Sequence, residues 1–410
     1  MKKKIGLFGG SFDPFHLGHE RMIDAALASG EVSRVLVMPC GLPPHKTRRL
    51  SLAAYRYSML EAALQGRSEV ELSRYELQRP GQYSYTSETL KALRREAREK
   101  GEKISLSLIY GSDALETMDS WHKPRKILKQ APMLIALRGN DSEKREFYES
   151  RARALMDRYG GEIRFFPMEP IELSSTKWRE RLACGENPNE NFNPAVAAFL
   201  VKNKPYLFAE DMNQISDEAY TRLAVLEQEI WEFMPLRRLV HTANVCQYAV
   251  HLALRHGQDA DKAALAGLLH DVCKYMPVAR QMKLAEAEGS IYPLNPNIAH
   301  GPAGAVYARD VFGMKDPLLL NAIARHTTTV PGMNDLDKII YLSDKIEWGR
   351  DFNYLDEIRE AAELDLNLAM KLCLREVLLA LVRQHKKIHP QTLSAAKDYG
   401  IDPQSFLRLP

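Results

Sequence analysis

No stretch of the chain comes near the roughly 18 consecutive apolar residues that a membrane-spanning helix needs, so no membrane partner is expected. Charge of one sign is missing too: 56 Lys plus Arg stand against 53 Asp plus Glu, a net charge of +3. That balance supplies no field for a nucleic acid or an acidic surface, and any anion must be held by a local site. Cysteine is scarce. Its five residues (Cys40, Cys184, Cys246, Cys273, Cys373) are scattered and never form a C-x-x-C pair. Neither a disulfide framework nor a zinc ribbon fits that spacing, and a reducing cytoplasm is the expected location. The start, Met1-Lys2-Lys3-Lys4-Ile5, has the basic end of a signal peptide, but Ser11, Asp13 and His16 interrupt any apolar region before a cleavage site. Repeats and low-complexity segments are also absent.

What remains is ordinary globular material, 45% hydrophobic and 27% charged. The 410 residues suggest two domains at roughly 100 to 200 residues each. Histidine is unevenly placed: His16 and His19 lie together, and six of the twelve fall between His241 and His326. Two regions therefore carry candidate chemistry.

Up to about residue 200, short apolar runs alternate with amphipathic stretches. Ile5 to Phe8, Arg34 to Pro39, Val70 to Leu77, Ser105 to Tyr110, Met133 to Leu137 and Ile163 to Pro167 read as strands. Helical stretches separate them, which predicts a doubly wound α/β parallel sheet of the Rossmann-like kind, with ligands at the carboxyl ends of its strands. From Ser216 onward the periodic segments are helical, among them Leu239 to His256, Asp261 to Cys273, Asp335 to Ile346 and Leu364 to Val382, and an all-α domain is expected. The domains are placed at residues 1–205 and 206–410.

Gly9-Gly10-Ser11-Phe12-Asp13-Pro14-Phe15-His16-Leu17-Gly18-His19 follows the first strand and opens the first helix. Backbone N–H groups and a helix dipole converge there on one anion-sized space, which favours a phosphate. Two imidazoles three residues apart add donors that can follow charge onto phosphoryl oxygens during an in-line displacement. This segment resembles the nucleotidyltransferase superfamily with the H-x-G-H signature. The resemblance implies transfer of the α-phosphoryl group of ATP, with Mg2+ accompanying the nucleotide, and catalytic roles for His16 and His19. A second signature is found in Ser174-Ser175-Thr176-Lys177-Trp178-Arg179, a helix start whose hydroxyls and Arg179 suit phosphate. ATP is thus expected to meet Gly9, Gly10, Ser11, Phe12, His16, Gly18, His19, Ser174, Ser175, Thr176 and Arg179. Trp178 replaces a small aliphatic residue usual in the family.

Pro43-Pro44-His45-Lys46, Arg79 to Leu90, Gly111-Ser112-Asp113 and Trp121 are similar in order and spacing to nicotinate-nucleotide adenylyltransferases. That resemblance implies nicotinate mononucleotide as acceptor, with Tyr85, Thr86, Asp113 and Trp121 around it and Lys46 as a catalytic cation. A flat anionic ring asks for an aromatic face and hydrogen-bond donors. Other acceptors of the same superfamily, nicotinamide mononucleotide or phosphopantetheine, stay open.

The second constellation is His241, His270-Asp271, His300, His326 and Asp344. His270-Asp271 ends an apolar helix, where an unpaired imidazole and carboxylate would be costly. Coordination of one or two divalent ions resolves that cost. The order H…HD…H…H…D resembles the HD phosphohydrolase superfamily. His300-Gly301-Pro302, His326-Thr327-Thr328 and Tyr341 to Glu347 resemble its YqeK-like subgroup of symmetrical diadenosine tetraphosphatases. The resemblance implies iron, a dinucleoside polyphosphate substrate and a catalytic Asp271, while Lys274, one turn beyond Asp271, would meet phosphate charge. His251 and His256 read as surface or packing residues. The expectation is a bifunctional enzyme. A different HD nucleotidase or a noncatalytic nucleotide-sensing module is the alternative for the second half, and the oligomeric state, a homo-oligomer included, is left open.

Overall fold

A computed structural model describes residues 3–43, 49–138, 144–169, 173–287 and 297–402. Pro44, His45, Lys46, Ile171 and Glu172 lie outside the described residues. The chain divides into two compact units, Met1–Val201 and Lys202–Pro410.

Six strands form the sheet of the first unit: β1 (Lys3–Gly10), β2 (Arg34–Pro39), β3 (Val70–Leu72), β4 (Ile104–Gly111), β5 (Met133–Arg138) and β6 (Ile163–Met168). Their spatial order is β3-β2-β1-β4-β5-β6, and every neighbouring pair is parallel. Eight helices accompany them: α1 (Leu17–Ala28), α2 (Ala53–Leu64), α3 (Thr86–Glu99), α4 (Asp113–Thr117), α5 (Pro124–Gln130), α6 (Arg145–Tyr159), α7 (Ser175–Ala183) and α8 (Pro194–Asn203). Val35, Val37, Leu108, Ile109 and Ile135 are fully buried, as parallel strands covered on both faces require. Leu7 of β1 stands opposite Leu36 on one side and Leu108 on the other. The chain winds outward from β1 in one direction and from β4 in the other, so the crevice at their carboxyl ends is where such a sheet binds ligands.

One strand is shorter than its alternation predicts. β3 pairs with only Val35 to Val37 of β2, and after Leu72 the chain turns into a 3-10 segment, Tyr75–Gln78. The chain leaves the ladder there although β2 continues to Pro39, and Glu76 buries against Thr89 Oγ1, 2.7 Å away.

Among the described residues the second unit has no strand. Its helices are α9 (Ala209–Met212), α10 (Asp217–Ile230), α11 (Leu236–Arg255), α12 (Ala260–Leu269), α13 (Val278–Ala287), α14 (His300–Asp310), α15 (Pro317–Arg325), α16 (Asp335–Ile346), α17 (Leu355–Leu364), α18 (Leu366–Arg383) and α19 (Pro390–Ala396). Side-chain caps start several of them: Ser216 accepts from Ala219 N at 3.1 Å, Asp259 from Lys262 N at 3.0 Å and Asn334 from Asp337 N at 3.0 Å. The helix expected from Leu364 to Val382 is interrupted, because Asp365 leaves helical geometry at φ −152° and caps Asn367 N of α18. The helix expected from Asp261 to Cys273 stops at Leu269, and His270 and Asp271 leave it in a run of turns. Two glycines permit close crossings near these turns. A Cβ on Gly267 would lie 2.8 Å from Cys246 Cα of α11, and one on Gly301 would lie 2.7 Å from Ala324 O of α15.

Candidate active sites

The first site lies where the sheet reverses its winding. A cleft of about 430 Å3 is lined by Gly9, Gly10, Ser11, Phe12, His19, Tyr85, Thr86, Asp113 and Trp121, together with Met38, Cys40, Tyr110 and Gly111 at the ends of β2 and β4. Residues expected to hold ATP and residues expected to hold nicotinate thus face one space. The turn after β1 is held from below: buried Arg56 donates through Nη1 to Ser11 O and Cys40 O, at 3.1 and 2.9 Å. Phe12 takes a left-handed φ of +50° and buries its ring at 5.2 Å from Phe8, which sends the backbone of the turn toward the cleft.

His19 sits in the first turn of α1 and lines both this cleft and a smaller one of about 210 Å3 beside His16, Gly18 and Ser175. The backbone N–H of His16 donates to His19 Nδ1 at 3.2 Å. An accepting Nδ1 places the ring proton of a neutral imidazole on Nε2, a hydrogen-bond donor. The His16 and His19 rings stack at 3.9 Å, and Phe15 stacks on the far side of His19 at 5.3 Å.

The second signature reaches the first through its backbone. Ser174 caps α7, accepting from Lys177 N at 3.5 Å; Ser175 Oγ donates to Pro14 O at 3.4 Å; Arg179 donates to Asp13 O at 2.7 Å and to Thr176 Oγ1 at 2.9 Å. Arg179 is therefore turned to the Asp13 carbonyl and is not among the residues lining the large cleft. Trp178 is accommodated, buried edge-on against Phe192 at 4.9 Å with the Arg181 guanidinium over its ring at 4.1 Å. Trp121 packs edge-on against Tyr110 at 5.0 Å, and Tyr85 lies 4.2 Å from His122. Burial pushes the Tyr110 hydroxyl up to about 12 and raises the Glu76 carboxyl against the hydrogen bond from Thr89.

The second site gathers all six expected ligands, His241, His300 and Asp344 from α11, α14 and α16, and His270, Asp271 and His326 from the turns that follow α12 and α15. Asp271 Oδ1 lies 3.1 Å from His300 Nε2 and 3.4 Å from His326 Nε2, and Asp344 Oδ1 lies 3.0 Å from His241 Nε2. His270 Nε2 stands between the carboxylates, 3.5 Å from Asp271 and 3.8 Å from Asp344, with no hydrogen-bond partner among the described residues. His270 and His326 each follow the last residue of a helix and fold back onto the carbonyl three residues earlier, Nδ1 donating to Gly267 O at 2.8 Å and to Ile323 O at 2.7 Å. His241 Nδ1 faces Glu347 Oε1 at 3.0 Å. All three rings spend Nδ1 outward and turn an Nε2 lone pair inward, the polarity of metal-ligating histidines.

A buried imidazole nitrogen left without a donor beside two buried carboxylates is costly in an empty protein interior, and a divalent cation satisfies it. Two overlapping donor groups could hold such an ion, His241 with His270 and Asp344, and His270 with Asp271 and His326. Burial opposes ionisation of Asp271, but His270, His300 and His326 outweigh it and hold the carboxyl well below its usual range. Asp344 behaves likewise, with burial overcome by Lys345 and His241. Burial lowers His326 to about 4 and also lowers His300, so these two imidazoles stay neutral beside anionic carboxylates at neutral pH; for His241 burial is outweighed by Asp344 and Glu347, which raise its pKa. Lys274 Nζ stands 3.1 Å from His300 Nε2, with its own pKa lowered by burial.

Several surrounding residues had no role in the sequence reading. Arg238 Nη1 donates to Asp271 Oδ2 at 2.8 Å, Arg350 Nη2 to Asp344 Oδ1 at 2.9 Å, and Asn244 Nδ2 to Glu347 Oε2 at 2.7 Å. Spacing held a signal for two of them: Arg238 precedes His241 by three residues and Glu347 follows Asp344 by three, one helical turn in each case.

The first unit is thus a nucleotidyltransferase-like α/β domain and the second an HD domain. The Cytidylyltransferase-like family model matches residues 7–181 and the HD domain model residues 238–349. A protein of Bacillus subtilis (strain 168) named symmetrical bis(5'-nucleosyl)-tetraphosphatase is 34% identical over 173 residues, covering 42% of this chain and 91% of that one. A Thermomicrobium roseum protein named probable nicotinate-nucleotide adenylyltransferase is 31% identical over 210 residues, covering 51% and 94%. A Mycoplasma genitalium protein whose name joins the two, probable nicotinate-nucleotide adenylyltransferase/Ap4A hydrolase, is 24% identical over 356 residues, covering 85% and 89%. The chain belongs to the nicotinate-nucleotide adenylyltransferase family through its first unit and to the symmetrical bis(5'-nucleosyl)-tetraphosphatase family through its second.

Proposed function

We propose that the first unit transfers the adenylyl group of ATP to nicotinate mononucleotide, giving nicotinate adenine dinucleotide and pyrophosphate, and that the second hydrolyses diadenosine tetraphosphate to two molecules of ADP. The observation that carries the first assignment is the shared cleft, in which the Gly9-Gly10-Ser11 turn and His19 face Tyr85, Thr86, Asp113 and Trp121. The acceptor phosphate attacks the α-phosphorus of ATP, and no side chain of the enzyme acts as nucleophile. His19, with its proton on Nε2, donates to phosphoryl oxygens as charge builds on them, and His16 supports it by stacking. The backbone N–H groups of the turn and of the α1 and α7 starts orient the phosphates, while Arg179 ties the two signatures together. Mg2+ accompanies the triphosphate, and Lys46 adds a further cation. Trp121 and Tyr85 supply aromatic surface for the pyridine ring.

The observation that carries the second assignment is the inward-facing Nε2 set around Asp271 and Asp344. His241, His270, Asp271, His300, His326 and Asp344 would hold one or two divalent ions, with iron suited to this nitrogen and oxygen donor set. Such an ion supplies Lewis acidity toward water and phosphate. The chain's own part is to fix the donors, to exclude bulk water by burial, and to place Lys274 where substrate phosphate charge gathers. The cytoplasm is the proposed location; no helix of the described residues is long and apolar enough to cross a membrane.

The test of the acceptor compares kcat/KM for nicotinate mononucleotide and its amide with the purified chain. A site built to pair a carboxylate leaves donors unmatched on the amide, so the acid should be preferred by at least about 10-fold. Equal values, or a preference for the amide, would move the first unit to a different acceptor.

A further inference from the structure

The second unit holds a cavity that neither assignment uses. It encloses about 280 Å3 next to the end of α16 and is lined in part by Lys345, Arg350, Phe352, Tyr354, Ile358 and Val377. One end is cationic. Lys345 Nζ lies 2.5 Å from Asp344 Oδ2, and Arg350 Nη2 lies 2.9 Å from Asp344 Oδ1, so this end begins one side chain away from the ligand set. Arg350 spends Nε and Nη2 on Asp344, and its Nη1 makes no hydrogen bond among the described residues, which leaves two N–H donors for an anion.

The other end is aromatic. The Phe352 and Tyr354 rings lie parallel, 5° apart in plane and 5.6 Å between centroids. Phe352 is 54% exposed. A single exposed aromatic is ordinary, but a stacked pair in the same cavity as two cations paired with the metal-ligand candidate Asp344 is not explained by packing. A flat π-surface at one end and guanidinium and ammonium groups at the other match a nucleoside phosphate, base on the rings and phosphate on the cations. We propose that this cavity is the nucleoside subsite of the second unit: the base stacks on Phe352 and Tyr354 while Arg350 and Lys345 receive the adjoining phosphate. The assignment rests on reading that unit as a dinucleoside polyphosphate hydrolase.

The experiment is steady-state hydrolysis of diadenosine tetraphosphate by the full-length, metal-loaded chain, with ADP and inorganic pyrophosphate as competing inhibitors. Phe352→Ala should raise KM and the inhibition constant of ADP at least about 5-fold, the loss of one stacked base, while the inhibition constant of pyrophosphate stays as in the wild type. Phe352→Tyr should restore both affected constants, and the unfolding temperature should hold because the ring is more than half exposed. Unchanged KM and ADP inhibition in Phe352→Ala, equal weakening of ADP and pyrophosphate, or no rescue by Tyr would overturn the subsite while leaving the hydrolase intact. A wild-type chain that hydrolyses no dinucleoside polyphosphate would overturn the hydrolase reading and the subsite together.

Discussion

The cleft of the first unit starts from one strand, one turn and one helix, residues 3–28, whereas the polar cluster of the second draws its donors from His241 to Asp344, on three helices and in the turns that end two more. In the first, the proposed work falls largely to backbone N–H groups and a helix start, with the imidazoles and the side chains of the acceptor end, Tyr85 and Trp121 among them, added to it. In the second, side chains do all of it. Two carboxylates and four imidazoles are buried together, and their charge states depend on one another. A site made of backbone tolerates exposure to water; a site made of buried ionic side chains needs its counter-charge in place. The two should therefore respond differently to the loss of one group.

The largest contrast is expected from Asp271→Ala. Removing a carboxylate that faces His300, His326 and Arg238 should lower hydrolysis of diadenosine tetraphosphate by more than about 1,000-fold, while adenylyl transfer by the same protein continues. Rates of both reactions on one preparation check it, and parallel loss in a folded variant would mean that the sites are coupled. A chelator should reproduce the contrast once excess magnesium is restored for ATP.

His19→Ala probes the other side. The imidazole chiefly meets charge that develops in the transition state, so kcat for adenylyl transfer should fall by about 100-fold with little change in KM for ATP. Near-normal turnover would remove His19 from the chemistry and leave only its role as a helix-start residue.

Glu347→Gln sharpens the comparison at a lower level. Glu347 holds His241 Nδ1 and is itself held by Asn244 and by the Gly349 N–H. Loss of its charge should weaken metal affinity by about 10-fold, read by metal titration of the apo protein, and should leave adenylyl transfer alone. Undiminished affinity would show that the His241 ring is oriented by packing instead.

The smallest effect is on stability and lies away from both sites. His251 is clasped by Asp211 at 2.7 Å and Glu363 at 2.8 Å, and its ring stacks on Phe208 at 4.0 Å. Burial lowers its pKa, but the two carboxylates prevail and raise it to about 9. A folded pKa above the unfolded value near 6.5 stabilises the fold fully below that unfolded value, and the benefit is lost as pH rises through about 9. The wild type should exceed His251→Gln by on the order of 2–3 kcal/mol at pH 6 and by almost nothing at pH 10. Melting curves of both proteins across that range test it, and a gap independent of pH would refute the charged clasp.

Legibility followed the same division. The H-x-G-H turn could be read because its parts are contiguous, and the alternating apolar runs predicted the parallel sheet that carries it. The ligands of the second site were readable in order and type, but the turns that present His270 and His326 were not, since both segments continue a helical pattern past the true helix ends. The strand expected through Leu77 also ended early: alternation was present, but after Leu72 the chain bends into the 3-10 segment that buries Glu76 against Thr89. His251 read as a surface or packing residue because its partners, Asp211 and Glu363, are 40 and 112 residues away.

By itself the sequence determined the two fold classes, the glycine-rich turn after the first strand and the set of six metal-ligand candidates, because local periodicity and residue type carry that information. Tertiary structure decided which nitrogen of each histidine faces inward, that Arg179 turns to Asp13 O, and that Glu347, Arg238 and Arg350 back the ligands. Those outcomes depend on distances between segments far apart in the chain. A hydrogen bond is made or lost within a fraction of an ångström, and only the packed helices and sheet set positions that finely.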